Sequence, residues 1–130
     1  MTRQIGIETK EQVEMLDITD KVRSILHESE IEEGTCMVYV PHTTCGITLN
    51  ENADPDVRKD IISEMNKVIP FKDGYAHSEG NSAAHIKASL FGFSAAVPVV
   101  KGELTLGTWQ GIYLCEWDGP RTRRVIIQVR

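Results

Sequence analysis

The amino-acid sequence predicts an α+β protein in which β-sandwich-like sheets carry two to three helices. Strand-like segments rich in β-branched and apolar residues occupy the beginning and the last third of the chain. Other segments have apolar residues that recur at helical spacing. The order is strands, a helix, strands, helices and a final block of strands, which differs from the regular alternation of βαβ units. The length of 130 residues predicts one domain over residues 1–130.

The first predicted elements are two strands and a helix. Residues 4–9 alternate apolar and polar side chains, and residues 15–18 form a second short apolar run. Thr19 or Asp20 is suited to cap a helix that continues to about Ser29. One face of that helix is expected to enter the core with Val22, Ile25 and Leu26.

The middle of the chain predicts two strands and a longer helix. Residues 35–40 are β-branched and apolar, and residues 42–50 resume as a strand rich in threonine. Asp54 and Pro55 mark a helix start, because aspartate caps the free N–H groups and proline fits the first turn. The helix is expected to end near residue 68 and to bury Val57, Ile61, Met65 and Val68.

A polar loop over residues 70–80 separates this helix from a shorter one. Asn81 or Ser82 can cap the shorter helix, which is expected to end near Gly92. The sequence 118–121, DGPR, has the composition of a turn, so the last two strands are predicted to form a hairpin. The final strands are predicted over residues 95–100, 104–106, 108–117 and 122–129.

Charge and composition exclude several classes of protein. Lys and Arg total 14 against 19 Asp and Glu, a net charge of −5 that argues against general nucleic-acid binding. No apolar run approaches the roughly 20 residues that span a bilayer, and no secretory signal is visible. The cysteines, Cys36, Cys45 and Cys115, are odd in number and widely spaced. They therefore predict free thiols in a reducing, cytoplasmic compartment, with Cys45 as a small core residue.

Three histidines are candidates for the functional site. His42, His77 and His85 occupy three different segments that the fold could bring together, and imidazole suits both metal binding and proton transfer near neutral pH. His77 and His85 also flank a helix start whose free N–H groups could hold a phosphate. The alternative is that these histidines only cap or bond neighbouring backbone groups.

Carboxylates and amides supply further candidates. Asn50 and Glu51 lie where the threonine-rich strand ends, so Glu51 could bind a divalent ion or accept a proton, unless the segment is only a solvated turn. In the strand 108–117, Glu116 shares a face with apolar residues and therefore needs a partner or a place at a rim. The three following arginines predict either a structural ion pair or an anion clamp, and they are Arg121, Arg123 and Arg124.

Several motifs together resemble one known family. They are S-x-x-V-x-V-x-x-G-x-x-x-x-GTWQ-x-I over residues 94–112, HTTCGITLNEN over 42–52, NSAAHIKASL over 81–90 and EWDGPR over 116–121. This pattern resembles the YjbQ-like family, which is described as secondary thiamine-phosphate synthases. The resemblance runs from about Thr9 to Val129.

The resemblance implies a YjbQ-like fold, a compact α+β domain with a packed β-sandwich, that assembles as a homotrimer. It implies an enzyme whose site is built from the shared polar residues His42, Thr44, Asn50, Glu51, His77, Asn81, His85, Gln110, Glu116 and Arg121. Of these and Trp109, we expect His42, His85 and Glu116 to be catalytic, Thr44, Asn50, Asn81, Trp109, Gln110 and Arg121 to bind substrate, and His42, His77, His85 and Glu51 to bind metal. The composition predicts a cytoplasmic protein without nucleic acid or membrane as a partner, and the arginines near the C-terminus suit a small phosphorylated molecule. A length of 130 residues leaves little room for a deep private pocket, so we expect the site at a subunit interface.

The implied reaction joins hydroxymethylpyrimidine diphosphate to a thiazole phosphate and releases pyrophosphate. A divalent metal, zinc or magnesium, or Arg121 would stabilise the charge of the leaving group. Trp109 would stack on a heteroaromatic ring, unless it is a core residue. Two other hypotheses stay open. One is a metal-dependent hydrolase of a small phosphorylated or heterocyclic molecule, and the other is a non-catalytic trimeric binding protein.

Overall fold

The computed structural model describes residues 1–130 and contains eight strands and three helices. In chain order they are β1 (Thr2–Glu8), β2 (Glu14–Asp17), α1 (Thr19–Ser29), β3 (Glu33–Tyr39), β4 (Cys45–Glu51), α2 (Pro55–Val68), α3 (Ser82–Phe91), β5 (Ser94–Val100), β6 (Glu103–Leu104), β7 (Gln110–Glu116) and β8 (Thr122–Val129). The predicted α+β class, with its sheets and helices, is confirmed.

The strands form two antiparallel sheets. A five-stranded sheet has the order β1-β8-β3-β5-β6, and a three-stranded sheet has the order β2-β7-β4. In the larger sheet Cys36 is paired with Val97 on one side and with Val129 on the other, so β3 is central. β7 is central in the smaller sheet and pairs with both of its neighbours.

The main core lies between the two sheets and includes one face of α1. Alternate residues of β3, β7 and β8 point into it, together with the predicted helix residues Val22, Ile25 and Leu26. A second, smaller cluster lies on the other face of the three-stranded sheet, where Tyr113, Cys115 and Trp117 pack against α3, with α2 at the margin. The helices α2 and α3 therefore cover the smaller sheet.

The prediction of a hairpin between the last two strands is wrong. β7 pairs only with β2 and β4, whereas β8 pairs with β1 and β3, so residues 117–121 cross from one sheet to the other. Alternation within each strand is compatible with either arrangement, and only the long-range pairing decides between them.

Smaller differences concern the helices and the start of β4. Ile18, rather than Thr19 or Asp20, occupies the N-cap of α1, and Asp17 Oδ1 accepts from the backbone N–H of Thr19 at 2.9 Å. No residue of α2 is fully buried, and Val68 is 64% exposed instead of buried. Residues 42–44 are not in a strand, since β4 begins only at Cys45.

None of the three helices combines the length and the apolar character that crossing a membrane requires.

Candidate functional site

A polar cavity of about 540 Å³ lies where the segment before β4, the start of α3 and the start of β8 come together. None of its lining residues is hydrophobic, which is unusual for a general ligand pocket and typical of a site for a charged ligand. We call it the histidine–arginine cavity. Its lining residues are Pro41, His42, Thr43, Thr44, His77, Glu79, Asn81, His85, Asp118, Arg121 and Arg123.

Arg123 anchors the floor of this cavity. Its Nε donates to Glu116 Oε1 at 2.8 Å, and its Nη2 donates to Glu116 Oε2 at 2.5 Å and to Thr44 Oγ1 at 2.8 Å. The Oγ1 of Thr9 also donates to Glu116 Oε1, at 2.8 Å. Burial lowers the pKa of Arg123, but its hydrogen bond to Glu116 together with the nearby negative charges, Glu116 and Asp118 among them, outweighs this and the net shift is upward. Arg123 therefore stays charged in a rigid position.

Glu116 takes the structural alternative that its strand position allowed. It lies on the same side of β7 as Ile112 and Leu114, which belong to the main core, and it is fully buried. Its partner is Arg123 rather than Arg121, and it is not among the residues that line the cavity. Glu116 thus fixes the position of Arg123 without itself lining the cavity.

His42 is held by the backbone of β8. The N–H of Arg124 donates to His42 Nε2 at 2.8 Å, so the neutral ring carries its proton on Nδ1. Burial lowers the pKa of His42 from 6.5, and the positive charges of Arg123 and Arg124 add to the shift. His42 is therefore a neutral hydrogen-bond donor at physiological pH, with its Nε2 lone pair already engaged.

His77 and His85 approach each other across the cavity wall. Their ring centroids lie 5.7 Å apart and the rings are nearly perpendicular, at 83°. The three histidines thus line one cavity, a convergence that the sequence left open, but Glu51 is not with them. No group of three or more His, Cys, Asp or Glu side chains of this chain is placed to hold a metal ion. Within one chain, the four ligands expected for zinc or magnesium therefore do not come together as one set.

Asn81, Asp118 and Arg121 form a linked group at the rim. Asp118 Oδ2 accepts from Asn81 Nδ2 at 2.9 Å and from Arg121 Nη2 at 2.9 Å. Asn81 occupies the N-cap of α3, but its side chain makes no capping hydrogen bond, and its Oδ1 is buried without a partner. The N-terminus of α3 therefore lacks the side-chain cap that the sequence predicted.

Four of the predicted site residues lie elsewhere in the chain. Asn50 and Glu51 end β4 and pair with Gly111 and Gln110 at the start of β7, whereas Cys45 pairs with Glu116 at the other end. At about 3.3 Å per residue, these two ends of the sheet are roughly 20 Å apart. Trp109 is exposed and directly precedes β7, at the end of the sheet that is far from the cavity. Within one chain, the histidine–arginine cavity is therefore not lined by Trp109, Gln110, Asn50 or Glu51.

The sequence did not single out the cavity residues Thr43, Glu79 and Asp118, and Arg123 was only one of three arginines predicted to form an ion pair or an anion clamp. Arg123 carried a detectable signal, because it shares its side of β8 with Val125, Ile127 and Val129 and therefore points inward. An inward arginine needs a buried carboxylate, and Glu116 was the candidate available. The other three lie outside strands and helices, where no periodicity shows which way a side chain points.

Comparisons with known proteins give a consistent result along the chain. A family model described as "UPF0047 protein YjbQ-like" matches residues 3–130. UPF0047 protein YugU of Bacillus subtilis is 50% identical over 130 residues, covering 99% of this chain and 98% of that protein. UPF0047 protein MJ1081 of Methanocaldococcus jannaschii is 47% identical over 123 residues, covering 95% of this chain and 89% of that protein.

Solved structures agree with these sequence relatives. An uncharacterized YjbQ/UPF0047 protein from Clostridium acetobutylicum has a TM-score of 0.97 and 48% identity, covering 98% of this chain and 99% of that chain. A YbjQ-like protein of unknown function from Sulfolobus solfataricus has a TM-score of 0.96 and 33% identity, covering 99% of this chain and 95% of that chain.

Proposed function

The chain belongs to the UPF0047 protein YjbQ-like family, and from that premise we propose that the histidine–arginine cavity binds the phosphate group of a small molecule. The observation that carries this proposal is the position of Arg123. Its side chain is only 4% exposed, yet it lines the cavity. Its Nε and Nη2 are engaged by Glu116 and Thr44, and its Nη1 makes no hydrogen bond within the protein. A fixed guanidinium with a free N–H matches the geometry of a phosphate oxygen.

The N-terminus of α3 adds to the attraction for an anion. It begins beside the cavity, between Asn81 and His85, and no side chain caps it. The partial positive charge at a helix N-terminus favours phosphate, and Arg121 at the rim supplies a second guanidinium. These groups act on the same small volume as Arg123.

Two carboxylates in the cavity wall favour phosphate over sulfate. Glu79 and Asp118 line the cavity together with the two arginines. Carboxylates accept hydrogen bonds, so they suit a ligand that keeps a P–OH group, and a phosphate monoester does so in part because its second pKa is about 6. Sulfate has no such donor at neutral pH, and the carboxylates would repel it.

The reaction we propose is the condensation of hydroxymethylpyrimidine diphosphate with a thiazole phosphate, the activity that resemblance to the family implies. Arg121 and Arg123 would stabilise the negative charge that develops on the departing pyrophosphate. The thiazole ring nitrogen would bond to the methylene carbon of the pyrimidine as the bond from that carbon to the diphosphate oxygen breaks. His42 would donate a hydrogen bond through Nδ1, and a protonated His85 would give its proton to the departing pyrophosphate. The proposal uses no metal, since the residues present do not form a metal site.

Assembly as a homotrimer, with the site at the subunit interface, belongs to the same proposal. The outer face of the five-stranded sheet has no helix packed on it, and Met37, Tyr39 and Ile126 lie there half-buried or exposed. Trp109 is 62% exposed at the end of the other sheet, far from the cavity of its own chain. A neighbouring copy could bring its Trp109 and Gln110 to that cavity. Sedimentation should therefore give three chains per particle, and Ile126→Glu should dissociate it.

Calorimetric titration with inorganic phosphate, pyrophosphate and sulfate tests the binding site. We expect phosphate and pyrophosphate to bind and sulfate to bind at least about tenfold more weakly. Arg121→Ala and His85→Ala should each weaken phosphate binding about tenfold, while His27→Ala, on an exposed face of α1, should leave it unchanged. Equal binding of phosphate by all these variants would place the site elsewhere.

A coupled assay for pyrophosphate release tests the reaction with both substrates. Turnover that falls in His85→Ala and Arg121→Ala would support the synthase activity. Phosphate binding without turnover would support the non-catalytic alternative. Turnover that requires added zinc or magnesium and yields only hydrolysis products would favour the metal-dependent hydrolase.

A further inference from the structure

The only lysine that is completely buried lies on α3, and the proposed function does not use it. Lys87, on α3, has no exposed surface, and no carboxylate lies within ion-pair distance of it. Its Nζ donates a 2.6 Å hydrogen bond to Asn66 Oδ1, at the end of α2. Burial lowers the pKa of Lys87. A buried ammonium group without a counter-ion is unfavourable unless other groups compensate it.

Two aromatic rings provide that compensation. The Nζ of Lys87 lies 4.2 Å from the ring centroid of Phe71 and 5.5 Å from that of Trp117. Attraction between a cation and an aromatic face is strongest where both are removed from water. Lys87 thus joins three parts of the chain: the end of α2 through Asn66, the crossing after β7 through Trp117, and the loop after α2 through Phe71.

The loop that Phe71 belongs to has few other attachments. Every hydrogen bond made by residues 70–80 stays within that segment, from Tyr75 Oη to the carbonyl of Pro70 and from the N–H of Gly80 to the carbonyl of His77. No residue of the segment is fully buried. The ring of His77 also packs against that of His85. The segment therefore contacts α3 at two points, Phe71 on Lys87 and His77 on His85.

The 70–80 segment also supplies part of the cavity wall, because His77 and Glu79 line it. We propose that Lys87 is a positioning residue that fixes the 70–80 segment through Phe71 and so keeps His77 and Glu79 at the histidine–arginine cavity. Its effect on ligand binding rests on the proposed function, whereas its effect on the segment does not. Lys87 touches no ligand itself, since it has no surface in the cavity.

Backbone order parameters of residues 70–80, measured by nuclear magnetic resonance relaxation, test the proposal directly. Lys87→Met removes the charge and keeps the length of the stem, and Phe71→Leu removes the aromatic face and keeps an apolar side chain. Both should lower the order parameters of the 70–80 segment to below about 0.6, while those of the main core stay as in the wild type. Phe71→Tyr, which keeps the ring, should match the wild type. Lys72→Met, which removes an exposed lysine of the same loop, is the matched control.

Titration with inorganic phosphate on the same proteins gives the second readout. We expect Lys87→Met and Phe71→Leu to bind phosphate about three- to tenfold more weakly, with no loss of stability in urea unfolding, and Phe71→Tyr to restore binding. Unchanged order parameters in the 70–80 segment of both variants would overturn the proposal. Lower order parameters throughout the molecule would also overturn it, because that result indicates a general structural role. If wild-type protein binds no phosphate but the order-parameter result holds, the proposed function fails and the positioning role stands.

Discussion

The guanidinium group of Arg123 and the carboxylate of Glu116 face each other through two hydrogen bonds, and neither side chain is more than 4% exposed. They come from β8 and β7, which belong to different sheets, so this pair ties the two sheets together beside the cavity. A buried ion pair adds little net stability, but removal of one partner leaves an uncompensated buried charge.

Arg123→Met should therefore destabilise the protein by about 3–5 kcal/mol. Urea unfolding followed by circular dichroism measures the change. The double variant Arg123→Met with Glu116→Leu should recover much of the loss, because it removes both charges. Arg121→Met is the control, since its pair with Asp118 is half-exposed and contributes at most about 1 kcal/mol. A single variant no worse than this control would show that Glu116 is hydrated or paired elsewhere.

For this pair, the sequence predicted the position of Glu116 but not which arginine is its partner. The alternation along β7 correctly placed Glu116 with Ile112 and Leu114 and showed that it needed a partner. Which arginine serves depends on the crossing between the sheets, and the prediction of a hairpin concealed that crossing. Local patterns determine which face a side chain occupies, but only the pairing of distant strands determines what lies opposite.

The dependence on strand pairing also explains why the predicted site residues lie in two separate places. The segment 42–44 and the segment 50–52 are close in sequence, and both contain polar residues of the kind that form sites. β4 lies between them, and an extended strand of seven residues separates its two ends by roughly 20 Å. The three histidines lie in one cavity because their segments converge on one end of the sheets. The sequence alone did not predict this convergence.

His42 makes stability depend on pH in a defined direction. Its pKa in the folded protein is lowered below 6.5 by burial and by Arg123 and Arg124, so the unfolded chain binds the proton more readily. The contribution of His42 to stability is therefore complete above about pH 6.5 and is lost as the pH falls through the folded pKa. The unfolding free energy of the wild type and of His42→Gln is to be measured between about pH 8 and pH 5. The free energy of the wild type should fall toward the acidic end of this range.

The variant should lose less stability than the wild type on acidification, because glutamine can accept from the N–H of Arg124 but does not titrate. Thr43→Ser, an exposed substitution next to His42 that adds no titrating group, serves as the control and should follow the wild type. Parallel curves for the wild type and His42→Gln would show that His42 titrates alike in the folded and unfolded chains.

The three cysteines should be unreactive while the protein is folded. All are free and buried, and burial raises the pKa of Cys36 to about 11, that of Cys45 to about 12 and that of Cys115 further. The thiolate is the reactive form, and almost none is present near pH 8. A disulfide reagent that reports released thiolate should detect no fast-reacting thiol in native protein and three after denaturation in guanidinium. A fast native thiol, traced to Cys45 by Cys45→Ser, would contradict this prediction and indicate a nucleophilic thiol at that residue.

Gly119 lies in the crossing between the sheets, where the chain passes close to the segment after β1. A Cβ atom on Gly119 would lie 2.2 Å from the carbonyl oxygen of Glu11 and 2.9 Å from both Glu116 Cγ and Thr9 Oγ1. The backbone at Glu11 cannot simply rotate away, because the N–H of Gly119 is itself hydrogen-bonded to the carbonyl of Gln12 at 3.0 Å. Any added side chain must therefore displace residues 117–121 from their position beside Glu116 and Arg123.

Gly119→Ala should accordingly cost at least about 2–3 kcal/mol in urea unfolding, at the upper end of the usual cost of overpacking. Gly6→Ala is the matched control, because a Cβ at Gly6 meets nothing within 4 Å and its φ is not positive. That variant should be neutral or stabilised by about 0.4–1 kcal/mol through the lower entropy of its unfolded chain. If both alanine variants unfold at the same urea concentration, the crossing can move without cost, and the rigid support that Arg123 receives from Glu116 would lose its structural basis.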